Sequence, residues 1–169
     1  SIEVSFKKKS GKNLDGTGIV FNYKDMDNYS QFIVSSDGYY KVIRNFLGIS
    51  KEIKSWTKSS LVNKSGGENK LKVFNFKDET YYSINGKVVL QTDEDNAGDG
   101  TEYGIIADEG SFEISSFELK QPFTKKEIEV AENNNRNESN NNNSPGINKW
   151  TGSGSGIVIS TNGLIATNY

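Results

Sequence analysis

The chain has 169 residues, 20 basic and 22 acidic side chains, a net charge of −2, and neither cysteine nor histidine. The near-neutral charge and the lack of a long Lys/Arg block argue against a nucleic-acid partner. Without cysteine there is no disulfide framework and no Cys metal site. No apolar run approaches the length of a transmembrane helix, so we expect no membrane span in this segment. The length suits one domain with an appendage.

Short segments with period-two alternation of apolar and polar residues fill the first 121 residues. Roughly nine of them are predicted to be strands: Ile2–Phe6, Gly16–Tyr23, Tyr29–Ser35, Tyr40–Arg44, 71–74, Thr80–Ile84, Lys87–Leu90, Tyr103–Ala107 and Phe112–Leu119. A further strand is indicated over Ile53–Trp56, followed by a long loop from Thr57 to Asn69. Many short strands with turn residues between them and no helical periodicity predict an all-β antiparallel β-sandwich.

Two local sequence patterns predict a hairpin and a β-bulge within this sandwich. Asn85-Gly86 between two apolar runs predicts a tight hairpin, because both central residues of its turn need positive φ. In the last strand, Ile114 and Phe117 are three residues apart, so the apolar face changes at Ser115-Ser116. Such a change of face predicts a β-bulge.

A set of turn and core residues recurs in a known order along this region. The set comprises Gly18-Ile19-Val20-Phe21, Asp27-Asn28-Tyr29, Phe32, Gly38-Tyr39-Tyr40, Asn69-Lys70-Leu71, Ile84-Asn85-Gly86-Lys87 and Tyr103-Gly104-Ile105. It resembles the concanavalin A-like (laminin G-type) jelly rolls of bacterial envelope and secreted proteins, including the 3-keto-disaccharide hydrolase domain family. The resemblance implies a jelly-roll fold and a cell-envelope or secreted location, and it implies fold more than function.

Aromatic side chains on this sandwich are candidates for stacking against a sugar. We single out Tyr39, Trp56 and Tyr81, since in Tyr39-Tyr40 and Tyr81-Tyr82 one ring of each pair must point out of the sheet. Glycosidic hydrolysis needs two suitably spaced carboxylates. The Glu-x-Asp-x-x-Glu pattern expected in a laminarinase-like jelly roll is absent from the sequence, so we do not expect the sandwich to be an enzyme.

An acidic loop between the hairpin and the last two strands is the first candidate metal site, and the Asp25/Asp27/Asn28 turn is a second, weaker one. Asp93, Asp95 and Asp99 supply the oxygen ligands that calcium prefers. The spacing does not follow the EF-hand pattern, because Gly104 stands where the last ligand is expected. A solvated acidic loop is therefore the favoured interpretation, calcium is the alternative, and no other cofactor is expected.

The pattern changes after Pro122. Thr124–Glu127 forms a capping box that predicts a short helix to about Glu132. Residues 133–143 are Asn-rich without a single apolar side chain, which predicts a disordered tether.

The last segment reads TGSGSGIVISTNGLIATNY and predicts a hairpin of two strands, Gly156–Ser160 and Leu164–Asn168, around Asn162-Gly163. It resembles the opening hairpin of the HtrA (Deg)-type trypsin-like serine proteases, which implies protein substrates. In that family a catalytic His follows at the position after Tyr169, and the Asp and Ser come later. The resemblance therefore implies that the whole triad lies downstream and that these residues hold none of it. A two-stranded hairpin is marginal alone, so we expect it to be poorly ordered or to lie alongside the sandwich.

The sequence thus predicts three parts: a sandwich over residues 1–121, a helix and linker over 122–149, and a protease hairpin over 150–169. The implied function is recognition or positioning by a non-catalytic module at the N-terminal side of a serine endopeptidase. Two alternatives remain open at this point: a free-standing lectin-like module without a protease, and a structural spacer that binds nothing.

Overall fold

A computed structural model describes residues 1–12, 16–64, 66–76, 78–93, 100–108, 110–120, 150–153, 156–158 and 165–167. Within these ranges the regular structure is all strand. Ten strands form the sandwich: β1 Ile2–Lys8, β2 Thr17–Asp25, β3 Asn28–Val34, β4 Tyr39–Phe46, β5 Ile49–Lys58, β6 Glu68–Phe76, β7 Glu79–Ile84, β8 Lys87–Thr92, β9 Glu102–Ala107 and β10 Ser111–Leu119. Three short ones follow: β11 Trp150–Ser153, β12 Gly156–Val158 and β13 Ile165–Thr167.

The strands form two antiparallel sheets. Sheet A has the order β10-β1-β6-β7-β8 and sheet B the order β9-β2-β3-β4-β5. The short strand β11 pairs with β10 at the edge of sheet A, and β12 pairs with β9 at the edge of sheet B. The two five-stranded sheets form a β-sandwich, which confirms the fold class predicted from the alternation of the sequence.

The core lies between the two sheets and is built by alternate residues of each strand. Ile2, Val4 and Phe6 of β1 face Ile19, Phe21 and other inward residues of sheet B, and all five are buried. Alternation places these side chains on one face because successive residues of a strand point to opposite sides. The inward aromatic rings of the two sheets are in contact, with Phe32 and Tyr82 at a centroid distance of 5.3 Å and an interplanar angle of 75°.

Both local signals of the sequence are confirmed. Asn85 and Gly86 have φ angles of 50° and 84° and connect β7 to β8, as a type I′ turn requires. In β10, Ile114 pairs with Phe6 while Ser116 pairs with Ser5, so Ser115 is the extra residue of a bulge. This bulge lets Ile114 and Phe117 both pack against the core.

Other expectations need correction. The strand predicted at Ile53–Trp56 extends over Ile49–Lys58, and β6 begins already at Glu68, so the connection between them is shorter than the predicted loop. In β2 the alternation Ile19, Phe21, Tyr23 is interrupted, because Asn22 has a φ of 50° and the pairing with both neighbouring strands shifts there. Tyr23 is therefore only partly buried, beside Tyr29 at a centroid distance of 6.0 Å.

The paired strands β12 and β13 agree with the predicted hairpin, and β12 lies alongside the sandwich through its pairing with β9. The turn that joins them lies outside the described residues, as do the predicted helix and the Asn-rich tether. The division of the chain into three parts stays a prediction.

Candidate functional site

The outer face of sheet B, at strands β4 and β5, brings together two of the three aromatic candidates. Tyr40 and Val42 are buried in the core, so Tyr39 and Lys41, their neighbours in the strand, point outward. Thr57 pairs with Tyr40 across the two strands and shares its inward face, which turns Trp56 outward. Tyr39 and Trp56 therefore lie on the same outer face.

Trp56 is the centre of this group. Trp56 is 40% exposed, and the Lys41 ammonium lies 6.0 Å from its ring centroid. Lys41 also forms an ion pair with Glu52, and the Ser55 hydroxyl donates to the second oxygen of Glu52 over 2.6 Å. We call Lys41, Glu52, Ser55 and Trp56 the Trp56 site: an exposed indole with an ammonium and a carboxylate beside it.

The electrostatics of the Trp56 site favour binding over acid catalysis. The hydrogen bond from Lys41, followed by that from Ser55, lowers the pKa of Glu52 below its ordinary value. A carboxylate that donates a proton as a general acid needs the opposite shift, which burial or a neighbouring like charge produces. Glu52 therefore remains an ionised acceptor, suited to receive hydrogen bonds from hydroxyl groups.

Tyr81, the third aromatic candidate, is on the other sheet. Tyr82, its neighbour in β7, is buried between the sheets, so Tyr81 points to the outer face of sheet A. There its ring stacks on Phe74 at 5.0 Å and 8°, and its hydroxyl donates to Glu79 over 2.8 Å. The sandwich separates Tyr81 from Trp56, and the three aromatic candidates do not form one surface.

The calcium candidates are only partly described. Asp93 is exposed at the end of β8, while Asp95 and Asp99 lie outside the described residues. In the part of the chain that the structure describes, no three Asp, Glu, His or Cys side chains lie close enough to hold a metal ion. The carboxylate of Asp25 accepts hydrogen bonds from the Asn28 amide and the Asp27 backbone, and the first of these lowers the pKa of Asp25.

A cleft of about 380 Å³ opens where one end of the sandwich meets the bulge in β2. Its walls include Asn22 and Asn75, together with Phe21, Phe74 and Tyr103. Phe21 belongs to the core, and Phe74 is 5% exposed and already covered by Tyr81. The Phe21 and Phe74 rings of the cleft are thus occupied by other protein groups, whereas the indole of Trp56 is partly exposed to solvent.

Neither the cleft nor the Lys41–Glu52 pair beside Trp56 was predicted from the sequence. Both depend on irregular pairing: β5 shifts register twice against β4, and β2 shifts at Asn22. Asn22 is a sequence signal for the irregularity in β2 that opens the cleft, because Asn is enriched at positive φ among residues other than Gly. Gly100 is a second such signal. A Cβ at this position would lie 2.2 Å from the Asn22 carbonyl oxygen, so only glycine fits beside the irregularity.

The chain matches no protein-family model, and searches of the curated proteins and of the solved structures give no significant match. No helix among the described residues has the length and hydropathy to cross a membrane.

Proposed function

We propose that the sandwich is a non-catalytic glycan-recognition module and that the Trp56 site is its contact surface. The observation that carries the proposal is the half-exposed indole flanked by Lys41 and Glu52. A flat aromatic face packs against the apolar face of a sugar ring, and an ammonium and a carboxylate beside it donate to and accept from the hydroxyl groups.

The wider role of the module rests on sequence resemblance. The hairpin at residues 150–169 resembles the start of an HtrA-type trypsin-like protease domain, and the sandwich resembles a concanavalin A-like jelly roll. We propose that the module positions a serine endopeptidase on glycan-bearing material. The endopeptidase would cleave protein substrates with a triad encoded after Tyr169. The same surface also suits a lectin-like module without a protease.

A glycan array tests the recognition step. The chain should bind a defined subset of the glycans on the array. Trp56→Ala should lower the affinity for these glycans at least about tenfold, and Trp56→Phe should lower it less because an aromatic ring remains. Tyr81→Ala is the matched control on the other sheet and should bind as the unmodified chain does. If Tyr81→Ala loses glycan binding and Trp56→Ala keeps it, the binding site is on sheet A. If the chain binds no glycan on the array, the alternative of a structural spacer is favoured.

The protease step has a separate test. The gene sequence beyond Tyr169 should encode His next, then an Asp and a Gly-[ND]-Ser-Gly-Gly segment. The full-length product should cleave casein and lose that activity with a serine-directed inhibitor. Any other residue after Tyr169 would rule out the protease and leave the lectin-like alternative.

A further inference from the structure

Four large apolar side chains are exposed together at the end of sheet B. They are Met26 in the β2–β3 turn, which is 62% exposed, Phe46 at the end of β4 (48%), Leu47 in the β4–β5 turn (70%) and Ile49 at the start of β5 (73%). We call these four residues the apolar tip. Scattered single apolar residues are normal on a protein surface, but a contiguous group marks an interaction site.

The two turns of the apolar tip are fixed to each other. The Leu47 backbone N–H donates to the Asn28 side chain over 3.0 Å, and the Gly48 N–H donates to the Asp27 carbonyl over 3.1 Å. The exposed side chains are therefore presented by a braced structure, not by a loose loop. Such preorganisation lowers the entropy cost of binding.

The conformation of Leu47 is unfavourable for its residue type. Leu47 and Gly48 have φ angles of 53° and 74°, the pattern of a type I′ turn, in which the first position favours Asn, Asp or Gly. A leucine at positive φ is strained, and this one is also largely exposed to water. Packing of the largely exposed Leu47 side chain does not offset this strain, which points to a role of the side chain outside the fold.

Positive charges lie beside the apolar tip. Arg44 and Lys51 are directly opposite each other in the β4–β5 pair, and the Arg44 guanidinium lies 5.2 Å from the centroid of the Phe46 ring. Residues 39–58 contain five Lys or Arg and one Glu, a net charge of +4 in a chain with a net charge of −2. Asp25 at the end of β2 and Asp27 in the β2–β3 turn add two negative charges nearby, fewer than the net +4 of the hairpin. The cationic hairpin is complementary to an anionic partner.

We propose that the apolar tip inserts into the surface of a lipid bilayer that contains anionic lipids, with Arg44 and Lys51 beside the headgroups. Apolar side chains buried at the headgroup boundary, together with cations that attract anionic lipids, are what peripheral membrane binding requires. A stable protein–protein interface involves about 20–30 residues on each side, far more than this projecting tip offers. The proposal does not depend on glycan recognition, because Trp56 is not part of the tip.

Vesicle flotation of the full chain tests the proposal. Vesicles of phosphatidylcholine and phosphatidylglycerol in equal amounts should carry the chain with them, and vesicles of phosphatidylcholine alone should bind it at least about tenfold more weakly. The double variant Leu47→Asn/Ile49→Thr should lose at least about tenfold in affinity for the anionic vesicles. Asn suits the φ of position 47 and Thr suits a strand, so its melting temperature should not fall.

Val88→Thr is the matched control, since Val88 is 40% exposed but lies on β8, outside the apolar tip. It should bind vesicles as the unmodified chain does. The proposal is wrong if anionic vesicles do not bind the chain, or if the double variant binds them as well as Val88→Thr does. It is also wrong if the chain sediments as a dimer that the double variant converts to a monomer and vesicles bind neither, because the tip is then a contact between two copies.

Discussion

At the scale of single residues, Asn85 joins three segments of the sandwich. Its side-chain oxygen accepts from the Lys70 N–H over 2.8 Å, and its amide donates to the Leu61 carbonyl over 2.6 Å. Its own N–H donates to the Lys70 carbonyl over 2.8 Å. One residue therefore holds the β7–β8 turn, the start of β6 and the loop that precedes β6.

Two substitutions at Asn85 should separate the contribution of its side-chain hydrogen bonds from that of its positive-φ backbone conformation. Asn85→Ala loses these side-chain hydrogen bonds and a longer one to Asn69, and it strains a position with a φ of 50°. We expect a loss of about 2–4 kcal/mol in the free energy of unfolding. Asn85→Gly relieves the backbone and should lose about 1 kcal/mol less. Urea unfolding of both variants measures the difference. A loss below about 0.5 kcal/mol for Asn85→Ala would show that the loop is held by other contacts.

The ionisation of Glu52 predicts how glycan binding depends on pH. Because Lys41 and Ser55 lower the pKa of Glu52 below its ordinary value of 4.5, the carboxylate remains charged throughout the range from about pH 5 to pH 7. Affinity should be constant over that range and fall only when the pH drops through the lowered pKa, where protonation also breaks the ion pair with Lys41. Glu52→Gln should bind more weakly and without that fall. Affinity that already declines between about pH 6 and pH 5 would contradict this prediction.

At the scale of the strands, the bulge in β10 determines which residues face the core. Ser115 is the extra residue, and its hydroxyl lies 3.2 Å from the Ser5 carbonyl and 2.7 Å from Glu68. Removing one residue there brings Ile114 and Phe117 into regular alternation, so both still point inward. Elsewhere in a strand, the loss of one residue turns every following side chain to the other face.

Single-residue deletions test this difference. Deletion of Ser115 should leave the fold intact and change the free energy of unfolding by less than about 1.5 kcal/mol. Deletion of Lys72 is the control, because it makes Leu71 and Val73 neighbours that point to opposite faces of β6, a strand paired on both sides. That variant should not fold, as measured by circular dichroism and amide exchange. Equal tolerance of the two deletions would show that the register is not fixed by the core face.

The parts of the structure that could be predicted from the sequence are those that depend on local signals. The β7–β8 hairpin and the β10 bulge follow from local signals, the pair Asn85-Gly86 and the serines between two apolar positions. Strand β5 was predicted too short, because most of its residues are exposed and no apolar alternation marks its ends. Its pairing with β4 provides the order that its sequence does not show.

The candidate site was predictable to the same extent. Alternation within β4 identifies Tyr39 as the outward partner of Tyr40, and it likewise turns Tyr81 outward from β7. It does not reveal that Tyr81 belongs to the opposite sheet, or that Lys41 reaches Glu52 and Trp56. Those facts depend on strand order and on two shifts of register, which are properties of the whole sheet.

At the scale of the whole molecule, a group of aromatic rings joins the two sheets at the centre of the core. Tyr82 of sheet A lies edge-on to Phe32 at 5.3 Å and to Phe21 at 6.0 Å, both of sheet B. Tyr40 of sheet B packs against Phe32 at 6.3 Å, and its hydroxyl donates to the Val89 carbonyl of sheet A over 3.1 Å. Phe32 is fully buried at the centre of this group.

Replacing Phe32 should therefore be the most damaging single truncation among these rings. Phe32→Ala leaves a cavity between the sheets, and we expect a loss of about 3–5 kcal/mol in the free energy of unfolding. Phe46→Ala is the matched control, because the same truncation at the apolar tip removes a half-exposed ring and should cost less than about 1 kcal/mol. Since a domain of this kind has a total stability of about 5–15 kcal/mol, Phe32→Ala should melt far below Phe46→Ala or fail to fold. Similar losses for the two variants would mean that the sheets are held by the rim of the sandwich and not by its aromatic centre.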